Sequence, residues 1–163
     1  MKKYYSLVLL AVLLFSIGFI SISIRNAKPI PLLEKFYFGV SPETVERQLG
    51  KPVDVKKEPG GSDKMVYSYD AIVLDEQAAV TCFFQNNRKL TEVHLQWNNN
   101  STELYERIYA CLFARFNDHK DFFIKKADDK SKTVIGIDNG ISGLFFSIYL
   151  EADCIRVICV DNS

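Results

Sequence analysis

Three observations predict an α+β protein built as two tandem repeats of a helix followed by an antiparallel β-meander, with the helices on one face of the sheet. One helix-start pattern, S-x-E-x-x-E-R, occurs at Ser41, Glu43, Glu46 and Arg47 and again at Ser101, Glu103, Glu106 and Arg107. Each start is followed by alternating apolar and polar runs separated by turn signals. Ahead of both lies an uncharged, apolar stretch that reads as an N-terminal hydrophobic leader or anchor helix.

The leader comes first in the chain. Lys2 and Lys3 precede 19 uncharged residues, Ser6–Ile24, and Arg25 and Lys28 follow. That run lies between the apolar region of a cleaved signal, about 7–15 residues, and a spanning helix of roughly 20. Only a passable small-x-small site ends at Ser23, and Arg25 spoils the one ending at Ala27. Residues 1–31 therefore read as a signal peptide or a signal-anchor with its linker, the retained anchor being favoured. Both readings export the remainder, because the lysines hold the N-terminus on the cytoplasmic side.

The first unit spans residues 32–98. Ser41 caps a helix, Pro42 suits its first turn, Glu43 and Glu46 complement its positive end, and Gly50 and Pro52 stop it. Residues 51–64, with Pro59-Gly60-Gly61, read as a loop. Strands are expected over Met65–Val73, Gln77–Gln85 and Leu90–Trp97, the last with Thr91, Val93, Leu95 and Trp97 alternating with Glu92, His94 and Gln96. The second unit spans 99–163. Its helix runs from Thr102 to Phe116 behind Ser101, and strands follow over Phe122–Lys126, Lys132–Asp138, Ile141–Leu150 and Cys154–Val160, with Asn139-Gly140 as a hairpin turn.

From Leu32 onward there are 16 Lys and Arg against 20 Asp and Glu, so the exported part carries a net charge near −4. Nucleic acid is not an expected partner, since phosphate tracking needs a basic stripe. Cys82, Cys111, Cys154 and Cys159 include no C-x-x-C pair, and with only His94 and His119 beside them a metal site is not expected. Export permits disulfides without choosing a pairing.

The segment from Phe38 to Trp97, carrying Gly39, the helix end Leu49-Gly50-Lys51-Pro52, the strand at Tyr67-Ser68-Tyr69 and the strand-turn-strand closing on Leu90–Leu95, resembles two known patterns. It is similar to outer-membrane assembly lipoproteins of the SmpA/OmlA type and to units of the β-lactamase-inhibitor-protein-like (BLIP-like) fold. The resemblance implies helices on one face of an antiparallel sheet and an opposite face open to a protein partner. It does not extend to lipid anchoring, because no cysteine precedes Cys82.

No constellation in the chain reads as an active site, and no cofactor is expected. His94 sits on a polar strand face, His119 lies in a turn, and the Pro-Gly-Gly and Asn-Gly sequences are turn glycines that open no helix after a strand. With Val80, Cys82 and Phe84 turned inward beside Val93 and Leu95, alternation turns Phe83 and His94 outward. With Leu144, Phe146 and Ile148 inward, Phe145 and Tyr149 turn outward beside Arg156 and Ile158. Phe83, His94, Phe145, Tyr149, Arg156 and Ile158 are thus the candidate protein-binding residues of a non-enzymatic, monomeric module, tethered through residues 6–24 if the leader is retained. The alternatives are an envelope assembly or scaffold factor and a redox protein using its cysteines.

Overall fold

The computed structural model describes residues 30, 32–33, 36–58, 63–127, 131–138, 140 and 143–162. The expected leader helix and the Pro59-Gly60-Gly61 turn lie outside them. Two helices, α1 (Pro42–Leu49) and α2 (Thr102–Phe116), accompany strands β1 (Asp54–Lys57), β2 (Lys64–Val73), β3 (Glu76–Gln85), β4 (Lys89–Trp97), β5 (Phe122–Lys126), β6 (Lys132–Asp138), β7 (Gly143–Leu150) and β8 (Ile155–Asp161). None of the described helices is long and apolar enough to cross a membrane.

The expected pair of tandem helix-and-meander units is not what forms. All eight strands join one antiparallel sheet in the order β1-β2-β3-β4-β8-β7-β6-β5. The seam is the β4–β8 ladder, where Val93 faces Cys159, Leu95 faces Val157 and Trp97 faces Ile155. All six are fully buried. Strand alternation dictates which side chains are buried but not which strand lies alongside, so two runs read as the ends of separate meanders instead meet at the sheet's centre. Among the described residues the fold is correspondingly sheet-dominated, with one 8-residue and one 15-residue helix. A second correction concerns Asp54–Lys57, read as loop. It pairs with β2, Asp54 opposite Ser68 and Lys57 opposite Met65, although every one of its residues is exposed.

Local chemistry explains the helix ends. Ser101 Oγ accepts from the Leu104 amide at 3.2 Å, a normal N-cap. Ser41 makes no such cap bond, and its hydroxyl lies instead 3.4 Å from that of Thr44. Gly50, at φ +86°, closes α1 in a conformation that a side chain would strain.

One apolar core lies on one face of the sheet. It combines Tyr69, Val80, Phe84, Leu95 and Trp97 with Ile135, Phe146, Ile148 and Val157, covered by Leu104, Ile108 and Leu112 of α2 and Val45 of α1. Ile30, Leu32, Leu33, Phe36 and Phe38 belong to the same core. That linker is docked by the Gly39 amide donating to the Leu90 carbonyl at 2.7 Å and the Leu90 amide donating to that of Val40 at 3.0 Å. Two polar clamps add to this packing, one within the first half and one from α2 to the first half. Trp97 Nε1 donates to the Val73 carbonyl at 3.2 Å. From α2, Arg107 donates to the Leu74 carbonyl and lies near Asp75 and Glu76, so it steadies a two-residue turn in which Leu74 and Asp75 both have positive φ.

Candidate functional site

The six sequence-selected residues all stand on the face of the sheet away from the core, each half-buried. Phe83 (β3), His94 (β4), Ile158 and Arg156 (β8) and Phe145 and Tyr149 (β7) occupy four adjacent strands. His94 is directly opposite Ile158, and Tyr149 directly opposite Arg156. Of the outward strand positions among the described residues, only Val66, Gly136 and Gly143 are buried. The segment carrying Ile30, Leu32, Leu33, Phe36 and Phe38 does not cover these aromatics, because its apolar side chains join the core on the opposite face.

The patch has three parts. On the first half, the rings of Phe83 and His94 lie 4.6 Å apart, and Nε2–H of His94 donates to Glu92 Oε1 at 2.6 Å. Lys64 Nζ donates to the other Glu92 oxygen at 3.3 Å and sits 5.9 Å above the Phe83 ring. The hydrogen bond from His94, with the charges of His94 and Lys64, holds the Glu92 carboxyl below the usual carboxylate range against the opposing effect of its burial.

On the second half, Tyr149 lies between two cations supplied by its cross-strand neighbours, Lys132 Nζ at 4.9 Å and the Arg156 guanidinium at 5.1 Å from its ring centre. Arg156 also pairs with Glu151, while its Nε is buried without a hydrogen-bond partner. The third part is Phe145 and Phe123, 5.9 Å apart, the latter beneath Lys125 at 5.5 Å. Both rings lie over glycine: a Cβ on Gly143 would fall 2.3 Å from the Phe145 ring, and one on Gly136 would fall 2.9 Å from the Phe123 ring and from the Leu144 carbonyl. Packing a ring across a glycine restores apolar contact that the glycine cannot supply.

Lys64, Glu92, Phe123, Lys125 and Lys132 were not selected from sequence. Alternation marks each as outward, but their partners became visible only once strand register was known. His119 lies outside the patch, in the turn after α2, where its ring nitrogen accepts from the Asp121 amide at 3.3 Å.

The cysteines have the character of packing residues. None of the four forms a disulfide. Cys82 and Cys159 both face Val93, from opposite sides, which separates them by two strand spacings, about 10 Å and beyond disulfide reach. Burial pushes the Cys82 thiol up to about 12, and burial together with the Glu151 and Asp153 carboxylates pushes Cys154 up to about 11. Burial also raises Cys111 and Cys159. Among the described residues no group of three or more His, Cys, Asp or Glu is placed to hold a metal ion.

No family model, curated protein or solved structure matches this chain.

Proposed function

We propose that this chain is an exported, membrane-tethered, non-enzymatic module that binds another protein through the outward face of its sheet. The observation that carries the reading is the contiguity of Phe83, His94, Ile158, Arg156, Tyr149 and Phe145 on four neighbouring strands, opposite the core. Half-buried aromatics with an arginine among them have the composition of interface anchors, and a sheet presents them without reorganisation. An envelope assembly or scaffold role would use the same face. The redox alternative gains no support, because a reactive cysteine needs a lowered thiol pKa and all four here are raised.

The test is capture of partners from native envelopes by the full chain, beside a Phe83→Ala/Tyr149→Ala variant whose folding is checked by circular dichroism and urea midpoint. A protein retained by the wild type and lost by the folded variant is the expected result. Equal retention by both refutes the face.

A further inference from the structure

Resting on that reading, we infer that the partner presents an acidic segment, received by the β5–β8 half of the outward face. The inference starts from an imbalance of charge. Beyond the leader the chain is net acidic, 16 cationic against 20 anionic residues, yet this half-face carries Lys132 and Arg156 against Tyr149 and Lys125 over the Phe123 ring. Glu151 neutralises Arg156 alone. Among the described residues no carboxylate lies within salt-bridge distance of Lys125 or Lys132, each of which rests over an aromatic ring instead. The first half of the face differs, since Lys64 there is already paired with Glu92 and Asp70 adds a further anion.

Register makes the cations a cluster. Lys132, Tyr149 and Arg156 form one row across β6, β7 and β8, and Lys125 stands opposite Val134, the next outward residue on β6. Two strand spacings, about 10 Å, separate Lys132 from Arg156. A carboxylate arriving beside Tyr149 therefore meets Lys132 on one side and, on the other, an Arg156 that it would share with Glu151, and the neighbouring Val134, Ile158 and Phe145 supply apolar contact for the side chains beside it. Because the rest of the molecule is net negative, attraction is confined to this patch, which orients an acidic partner as well as drawing it in.

The experiment measures fluorescence anisotropy of a labelled peptide of alternating glutamate and leucine against the full chain. It is compared with the lysine-leucine counterpart, with anionic phosphatidylglycerol vesicles and with a thymidine oligonucleotide. Expected are binding of the acidic peptide that weakens about tenfold from about 50 to about 300 mM salt, and a further loss of about tenfold in Lys125→Glu/Lys132→Glu. Lys56→Glu/Lys57→Glu, on the far edge of the sheet, leaves binding unchanged. Equal binding of the lysine peptide, preference for vesicles or oligonucleotide, or indifference to the Lys125/Lys132 reversal overturns the inference. If these results fail while envelope capture still depends on Phe83 and Tyr149, only the acidic chemistry is wrong. If both fail, the binding face itself is wrong.

Discussion

Replacing Leu95 by alanine tests whether the two halves of the sheet stand or fall together. Leu95 is fully buried on β4 and faces the fully buried Val157 of β8 at the seam. The carbons removed, at about 0.8 kcal/mol each, account for about 2.4 kcal/mol of lost transfer free energy. The cavity left in the core beside Val80 and Val157 cannot close fully, which brings the total to about 3–4 kcal/mol. At about 1.4 kcal/mol per tenfold, the loss corresponds to roughly 300-fold faster exchange of amides protected by global unfolding. Hydrogen exchange followed by peptide mass spectrometry reads this loss separately in β2–β3 and in β6–β7. Both pairs should lose protection by the same factor, with a single urea transition whether followed by Trp97 fluorescence or by circular dichroism. Loss confined to β2–β3, with β6–β7 at wild-type protection, would show that the halves are independent and refute the single cooperative sheet.

Three further outcomes are expected. Glu92 has a lowered carboxyl pKa in the folded protein, so its contribution is fully present above the unfolded value of about 4.3 and is lost as pH falls through the lower folded value. The difference in urea midpoint between wild type and Glu92→Gln should accordingly close below about pH 4, and a difference constant with pH would refute the assignment. Gly136→Ala should cost about 1–3 kcal/mol in urea unfolding, because its methyl meets both the Leu144 carbonyl and the Phe123 ring. Native alkylation with iodoacetamide near pH 8 should be slow at all four thiols and accelerate on adding denaturant, whereas rapid modification of one cysteine in the folded state would revive a redox role.

The facing of the strands was legible because period-2 alternation is strong in β3, β4, β7 and β8, where Val80, Cys82 and Phe84 or Leu144, Phe146 and Ile148 mark the inner face unambiguously. β1 was not legible, since Asp54, Val55, Lys56 and Lys57 are all exposed and an edge strand held by backbone pairing alone leaves no hydrophobic period. The seam was hidden for a different reason. Val93 and Leu95 look the same whether their neighbour is a distant strand or solvent beyond an edge, and only long-range pairing decides. The cations around Tyr149 share that limit, because Lys132 and Arg156 become its neighbours through register, not through nearness in the chain. The Ser41 cap shows the converse, a local signal whose helix forms without the expected bond.

The position of β8 has a consequence for how the molecule comes into being. It is the last of the strands in chain order, yet it lies at the middle of the sheet between β4 and β7. Until Ile155–Asp161 has been synthesised and inserted, β4 offers a row of unpaired amides and carbonyls next to Val93, Leu95 and Trp97, the kind of open edge on which chains associate wrongly. Closing that gap joins segments roughly 60 residues apart, a slow, high-contact-order step. The protein therefore passes through a vulnerable interval before β8 is in place, and a chaperone holding the nascent chain would have the facing edges of β4 and β7 to guard.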